Sequence, residues 1–413
     1  MSKNQIGLWG TIAIGLASML GAGVFVVFRD AYNFAGDWLY AALALAAIAA
    51  SLNAASVYQL ARQIDRPGGT YAYARVYRSD TWSFLAGFAF VFGKIGSIAA
   101  IALVFGEYAW PDQKHLAAVL AILVMVLVNV LGIQRTAGVA AVLSIVTTGF
   151  LVLTIAVGSS PFAAMPRQTA TYLEQSVQVP TLPGWGIVTG ASLIFFAFAG
   201  YARVATLGNE VRDAKRNIPK AIALSLGGVL FLYLSLTAVL TNVLGANLAN
   251  SEAPFIAYFN ALGFQLDWLV LAVAAVASLG SILALLAGVS RTAAEMASDR
   301  ELPKSFEARN RFGSPWVAEL VIAVGASALV FVGDLSSVIG FSSFSVLVYY
   351  SVAHLSALGQ PVEQRVLPQA LPVLGLSLCL VLAISVPGPA VAVSTAILVL
   401  AVVARRLFRI ESK

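Results

Sequence analysis

The chain has 413 residues, of which 60% are hydrophobic and only 11% are charged, and its mean hydropathy is +0.87. Soluble domains carry about 25% charged residues and cannot cover so many apolar side chains with a polar surface, so a soluble protein is excluded. The formal net charge of +6 does not indicate nucleic-acid binding, because the basic residues lie in short segments between apolar runs. The composition predicts an all-α integral membrane protein whose main partner is the lipid bilayer.

Twelve apolar runs are long enough to cross a bilayer, which takes about 20 residues per helix. Six spans are predicted at 7–29, 36–61, 82–108, 115–132, 137–158 and 185–207. Six more are predicted at 219–243, 267–290, 316–333, 335–357, 370–386 and 388–405. The connecting segments are predicted to be loops, and no appended soluble domain is indicated.

Lysines and arginines are unevenly distributed among these loops. Most of them lie in segments 62–81, 212–220, 291–311 and 405–413, which alternate with poorly charged loops. Because basic residues favour the cytoplasmic side, we expect both termini to be cytoplasmic. The chain is therefore predicted to be a multi-pass protein of the cell (inner or plasma) membrane.

The first predicted span is interrupted near its middle by Gly21, Ala22 and Gly23. Each glycine lowers helix stability by roughly 1 kcal/mol, and unwound backbone is tolerated in a bilayer only where it lines a cavity or is buried in protein. Unwinding here would free amide N–H groups that can bind a carboxylate. The alternative interpretation is that these glycines only allow helices to pack closely.

The third predicted span carries Lys94 about twelve residues from its start, close to the midplane at 1.5 Å per residue. A charged lysine there costs roughly 3 kcal/mol or more, so it should face a cavity, pair with a carboxylate or become neutral. We expect Lys94 either to carry a coupled proton or to fix a substrate carboxylate. The alternative is a structural lysine bonded to unwound carbonyl groups. Arg29 and Glu107, near span ends, are expected to form interfacial or gating ion pairs.

The sixth predicted span repeats the interruption, because Ala199 and Gly200 follow an aromatic stretch that includes Phe196 and Phe198. The first and sixth spans are equivalent if spans one to five and six to ten are inverted repeats. Paired interruptions in such helices point to a substrate site at the midplane of a transporter. The coincidence favours transport over simple packing.

Catalytic and metal sites are not indicated. Cys379 is the single cysteine, and the two histidines, His115 and His354, are far apart in the sequence. No phosphate-binding loop and no zinc-protease motif is present, which argues against an ATP-driven pump and an intramembrane enzyme. We therefore expect no metal and no cofactor, and we expect His354 to lie at a membrane interface.

Four motifs, taken in order, resemble those of the amino acid–polyamine–organocation transporter family. The first is the segment 21–25 (GAGVF), and the second is 67–73 (PGGTYAY) in the first inside loop. The third covers 209–222, which includes NEVRD and NIPKAI, and the fourth covers 290–303, which includes SR, MASD and LP. The resemblance runs through nearly the whole chain.

This resemblance implies a LeuT-type fold with two inverted five-helix repeats, at 7–158 and 185–357, and two peripheral helices at 370–405. It also implies that the substrate carboxylate meets the amides of the first-helix break and that the ammonium group meets carbonyls at the matching positions. The implied substrate-binding residues are Met19, Gly21, Ala22, Gly23, Phe196, Phe198, Ala199 and Gly200, with Lys94 as the candidate for coupling. Phe198 could equally be a packing residue.

Three positions depart from the family pattern. Ala202, followed by Arg203, stands where many relatives carry a glutamate after the sixth-helix break. Ser144 lies at the approximate position of a fifth-helix lysine that can replace a sodium ion. Ala22 offers no hydroxyl group to a carboxylate.

These features together predict a secondary active transporter of amino acids that works by alternating access, with proton coupling or exchange. The named wall residues are largely apolar, so a neutral or hydrophobic amino acid is expected. Transport of polyamines, other organic amines or carboxylates is the alternative, and a channel is less favoured because no repeated pore ring is present. The sequence leaves the oligomeric state open.

Overall fold

A computed structural model of the chain describes residues 6–64, 68–131, 136–160, 183–201, 204 and 211–411. Regular structure within these residues is helical, apart from one bridge between Ile6 and Val211. The first eight helices are α1 (Leu8–Met19), α2 (Val27–Ala35), α3 (Leu39–Ala61), α4 (Thr70–Tyr77), α5 (Asp80–Ala109), α6 (Lys114–Val130), α7 (Thr136–Gly158) and α8 (Pro183–Phe198). The next eight are α9 (Ala214–Leu244), α10 (Asn247–Asn250), α11 (Pro254–Ala261), α12 (Asp267–Ser298), α13 (Trp316–Val332), α14 (Leu335–Leu358), α15 (Ala370–Ser385) and α16 (Gly388–Glu411).

The helices confirm an all-α membrane protein. Among the described residues, seven helices are long and apolar enough to cross a bilayer, and four shorter apolar helices accompany them. Each predicted span has a helical counterpart, and α1 and α2 together form the first. Helices suit the bilayer because they satisfy their own backbone hydrogen bonds where water is absent.

Three segments differ from the predicted loops. Helix α4 lies inside the predicted loop 62–81, and α10 and α11 lie between the seventh and eighth spans. They are too short to give a span-length apolar run, and α4 forms because Tyr71 and Tyr73 bury one face against the bundle. The sixth span is predicted to reach residue 207. Residues 202, 203 and 205–207 of that span lie outside the described residues.

Helices α5 and α14 form the centre of the bundle and are buried along most of their length. A Cβ atom added to Gly93 would lie 2.7 Å from Cβ of Ser345, and one added to Gly96 would lie 2.6 Å from the ring of Phe341. The Ser97 and Ser342 hydroxyl groups meet at 2.7 Å in the same contact. Small residues thus let the third and tenth spans pack closely.

The two ends of the bundle carry separate charged networks. At the terminal end, which holds the first and last helical turns, Arg405 makes a bidentate ion pair with Glu301 at 2.5 and 2.8 Å. Arg75 joins it through Asp299, with Nη1 2.6 Å from Oδ2. Burial, together with a hydrogen bond donated to Asp299, raises the pKa of Tyr71. The opposite, distal end carries a second cluster, which is described below.

Candidate functional site

The first span is broken where the glycines predicted it. Helix α1 ends at Met19, Gly21 is extended with φ −78° and ψ −169°, and a 3₁₀ turn covers Ala22–Phe25 before α2 begins. The last carbonyl groups of a helix and the first amide groups of the next segment have no partner inside their own helix. The break therefore exposes carbonyls on one side and amides on the other.

The sixth span changes conformation at the corresponding place. Helix α8 ends at Phe198, and a 3₁₀ turn follows over Ala199–Tyr201. The paired interruptions predicted from Gly21–Gly23 and Ala199–Gly200 are both present, so the prediction of discontinuous first and sixth helices is confirmed.

The two breaks contact each other directly. A Cβ atom at Gly200 would overlap the carbonyl oxygen of Ser18 and approach the backbone nitrogen of Met19. A Cβ atom at Gly23 would lie 2.8 Å from the ring of Phe196. The glycines are therefore needed for the approach of the two helices, as well as for the unwinding itself.

Lys94 reaches this junction from the third span. Its side chain is buried, with the residue 6% exposed, and Nζ lies 3.4 Å from the carbonyl oxygen of Ala199, to which it donates a hydrogen bond. The ion pairs among the described residues do not include Lys94. The observed contact with a carbonyl at the sixth-span break is the one expected for the structural alternative, and the role of Lys94 in coupling stays a prediction.

Tyr233 on α9 is a residue of the junction that the sequence interpretation missed. It is fully buried, and its hydroxyl group lies 2.8 Å from the carbonyl oxygen of Met19 and 3.3 Å from that of Ala197. It therefore links the free carbonyls at the two breaks. The available signal was a tyrosine in the middle of an apolar span, because a buried phenol needs a hydrogen-bond partner.

The remaining predicted site residues have different environments. Phe198 is fully buried with its ring 5.1 Å from that of Tyr233, which suits packing. Met19 is 2% exposed, whereas Phe196 is only partly buried. A Cβ atom at Gly21 would lie 2.5 Å from the Ser281 hydroxyl oxygen, so the eighth span also reaches the break.

Some predicted positions lie outside what the structure describes. Ala202 and Arg203 fall in an undescribed part of the sixth span, and the side chains of Ala22 and Ser144 are likewise undescribed. The three departures from the family pattern are therefore known from the sequence alone.

Arg29 and Glu107, each expected to form an ion pair near a span end, form one with each other at the distal end, with Nη1 3.8 Å from Oε2. Arg29 also holds Asp30, with Nε 2.7 Å from Oδ1, and Lys114 lies 3.4 Å from Glu107. Between this cluster and the first-span break lies Phe25, whose ring centroid is 5.0 Å from that of Phe255.

The interfacial position expected for His354 is wrong. The residue is fully buried, and Nε2 lies 2.7 Å from Oδ1 of Asn53 while Nδ1 lies 2.8 Å from the Ser56 hydroxyl oxygen. Cys379 donates to the same Asn53 oxygen at 3.1 Å. Polar residues spaced three apart on α3 provide these partners, and they allow a histidine to be buried without an interface.

Comparisons with known proteins cover the chain almost completely. The sequence model of the amino acid permease family matches residues 6–408. An uncharacterized transporter of Mycobacterium tuberculosis is 42% identical over 420 residues, which is 100% of this chain and 92% of the relative. An uncharacterized transporter of Mycobacterium bovis has the same identity and coverage.

Plant proteins show a more distant similarity. Cationic amino acid transporter 7, chloroplastic, of Arabidopsis thaliana is 24% identical over 85% of this chain and 65% of its own length. Cationic amino acid transporter 4, vacuolar, of the same plant is 26% identical over 88% of this chain and 63% of its own length.

Proposed function

This chain belongs to the amino acid permease family, and on that premise we propose that it is a secondary active transporter of amino acids that works by alternating access. The observation that carries the proposal is the contact of the two helix breaks, where Gly200 packs on Ser18 and Met19. Broken helices that meet in the middle of a bundle supply backbone dipoles to a solute without placing free charges in the membrane.

The substrate site is proposed at this junction. The amides of Ala22 and Gly23 would hold the carboxylate of the solute, because freed N–H groups favour an anion. The carbonyls of Met19, Phe196 and Ala199 would face its ammonium group. In the present structure two of these carbonyls are already bonded, that of Met19 to Tyr233 and that of Ala199 to Lys94. Substrate binding would therefore exchange protein donors for the donors of the solute.

A neutral or hydrophobic amino acid is the proposed substrate. The side chains of Met19, Phe196 and Phe198 are apolar, and the carbonyl of Ala199 already bonds a cationic group. The second candidate is a cationic amino acid or other organic amine, which the printed names of the Arabidopsis relatives favour. Carboxylates without an amino group are a third class that Lys94 would suit.

Lys94 is proposed to couple transport to protons. As an ammonium group it donates to the Ala199 carbonyl, in competition with the ammonium group of the solute. Loss of its proton would weaken this bond and free the carbonyl for the substrate. Binding and deprotonation would then favour each other, which is the requirement for proton exchange.

The architecture around the site is proposed to consist of inverted repeats at 7–158 and 185–357, with peripheral helices at 370–405. The terminal end is proposed to be cytoplasmic, because the basic segments 62–81, 212–220 and 291–311 lie there. The distal end would then face the exterior of the cell (inner or plasma) membrane.

Counterflow into liposomes tests the function. Purified protein is reconstituted with an unlabelled amino acid inside, and entry of the same labelled amino acid is measured across the twenty common amino acids, common amines and small carboxylates. A carrier accelerates labelled entry when the internal solute is present, whereas a channel does not. Absence of trans-stimulation for every solute would overturn the proposal.

The coupling role of Lys94 is tested with Lys94→Ala, and Lys304→Ala on an exposed loop is the matched control. We expect Lys94→Ala to lose most of the pH dependence of exchange, with or without a fall in rate, because no other basic side chain bonds to the described part of the junction. Lys304→Ala should behave like the parent protein. If Lys94→Ala retained both the rate and its pH dependence, the role of Lys94 in coupling would be excluded.

A further inference from the structure

A cavity of about 280 Å³ lies at the distal end, separate from the junction of the two breaks. It is bounded by α2, the end of α5, the start of α6, the segment before α11 and the segment between α13 and α14. Its charged lining residues are Arg29, Asp30, Glu107, Lys114, Glu252 and Asp334. The volume is about that of nine water molecules in the liquid, enough for a small organic group.

Two of the carboxylates share one guanidinium group. Arg29 donates through Nε to Oδ1 of Asp30 at 2.7 Å, and its Nη1 is 3.8 Å from Glu107, beyond hydrogen-bond distance. Arg29 is also turned toward the backbone carbonyl of Glu252 at 3.3 Å. Arg29 therefore donates hydrogen bonds to Asp30 and to the Glu252 carbonyl, and it forms only a longer ion pair with Glu107.

Each of these two carboxylates retains a buried oxygen without a donor. Oδ2 of Asp30 and Oε2 of Glu107 receive no hydrogen bond of normal geometry from the described residues; the Ser336 side chain interacts with Asp30, and Nη1 of Arg29 lies 3.8 Å from this oxygen of Glu107. Asp30 is only 2% exposed. Because a buried acceptor without a hydrogen bond is unfavourable, these oxygens favour a ligand that brings N–H donors.

The overall charge of the cavity indicates the sign of that ligand. Four carboxylates line it, against the cations Arg29 and Lys114. Asp334 is partly engaged, because it caps α14 by accepting from the amide of Ser337 at 3.2 Å. The Lys114 side chain is 40% exposed, and Glu252 and Asp334 are also exposed, so water screens much of the charge of all three. Among the buried groups, the two carboxylates of Asp30 and Glu107 face the single cation Arg29, so an excess of negative charge remains.

We propose that the distal cavity is a binding site for an organic cation, with an ammonium or guanidinium group placed against Asp30 and Glu107. The binding itself rests on the cavity alone. Arg29 lies one helical turn beyond Phe25, so the site adjoins the route to the breaks. Its role as a first stop for the transported solute rests on the function proposed above.

The test labels a cysteine placed in the cavity. The single native cysteine, Cys379, is fully buried, so Asn33→Cys introduces the one accessible thiol among the described residues. Reaction rates are measured in purified full-length protein with a cationic and an anionic methanethiosulfonate at equal ionic strength. We expect the cationic reagent to react about tenfold faster, relative to a free-thiol standard. L-lysine should protect the thiol better than its uncharged counterpart, L-norleucine.

Two variants are expected to change the preference for cations in opposite directions, which misfolding of either variant would not produce. Glu107→Gln should reduce the preference for the cationic reagent and for L-lysine. Lys114→Gln should raise both by about threefold, because it removes a half-exposed competing cation. Asp112→Asn, on an exposed turn outside the cavity lining, is the control and should change neither.

Equal rates for the two reagents, equal protection by L-lysine and L-norleucine, or equal protection by sodium ions would overturn the proposal. Counterflow in the same preparations separates it from the transport function. If labelled L-lysine is exchanged, the cavity is a stop on the route of a substrate. If another amino acid is exchanged and L-lysine only protects, the cavity binds an effector. If nothing is exchanged while L-lysine protects, the transport proposal fails and the cavity site stands.

Discussion

Gly200 sets the distance between the two broken helices, because its missing side chain leaves room for the carbonyl of Ser18. An alanine there would overlap backbone atoms, which cannot move aside as the end of a flexible side chain can. The contact between the two breaks therefore depends on the absence of a Cβ atom at this one position.

We therefore expect Gly200→Ala to abolish exchange in the counterflow assay. Gly227→Ala is the matched control, since a Cβ atom at Gly227 on α9 would meet no atom within 4 Å. The control should retain parental exchange and gain slightly in helix stability. Parental exchange by Gly200→Ala would show that the two breaks need not touch.

A single hydroxyl group, that of Tyr233, bonds to carbonyl oxygens at both breaks. Tyr233→Phe removes the donor that bridges Met19 and Ala197, and we expect a stability loss of about 1–3 kcal/mol because both carbonyls are buried. Thermal unfolding in detergent measures this loss. Tyr40→Phe, whose hydroxyl group meets Thr241 only at 3.4 Å on the exposed surface, should unfold like the parent.

At the scale of helices, the terminal end joins three elements distant in sequence. Arg405 of α16 and Arg75 of α4 both reach Glu301, which follows α12 and has no exposed side-chain surface. Removing one partner of a buried ion pair leaves the other charge uncompensated, which is more damaging than removing both.

A double-mutant cycle tests this contact. We expect Arg405→Gln and Glu301→Gln each to lower stability by about 3 kcal/mol, and the double variant to lose less than the sum. Arg406→Gln, at the adjacent exposed position, should have little effect. Additive losses in thermal unfolding would indicate that the two side chains contribute independently.

The helices also show how far the sequence could be interpreted. Span positions and the break at Gly21–Gly23 followed from local patterns, namely apolar length and paired small residues. Helix α4 did not, because Tyr71 and Tyr73 are buried by packing against other helices, among them α5 and α14, which no pattern within the segment shows. The partners of Lys94 and His354 also depend on packing between distant spans, which no spacing within one helix determines.

For the whole molecule, two groups of packed side chains lie toward opposite ends of the bundle from the junction of the breaks. On the distal side Phe25 packs with Tyr108, Phe150 and Phe255, at centroid distances of 5.8, 5.9 and 5.0 Å. On the terminal side the network around Glu301 binds α4, α12 and α16 together. Under the proposed alternating access, these two groups of contacts would open in turn.

The proposed orientation makes a prediction for the intact cell. Asn33→Cys at the distal end should be labelled by a membrane-impermeant maleimide added outside, because the distal end is proposed to be exterior. Ser298→Cys, exposed at the terminal end, should be labelled only after permeabilisation. The reverse pattern would invert the proposed topology.

The last two helices, which were expected to be peripheral, make polar contacts with buried residues of the other helices. Gly375 of α15 lies against the ring of His354, Cys379 donates to Asn53, and Arg405 of α16 neutralises Glu301. A shortened version that stopped after the tenth span would uncover His354 and Asn53 within the bundle, and it would remove the bidentate partner of Glu301 at the terminal end. A ten-helix unit would therefore need apolar replacements for His354 and Asn53 and a neutral replacement for Glu301.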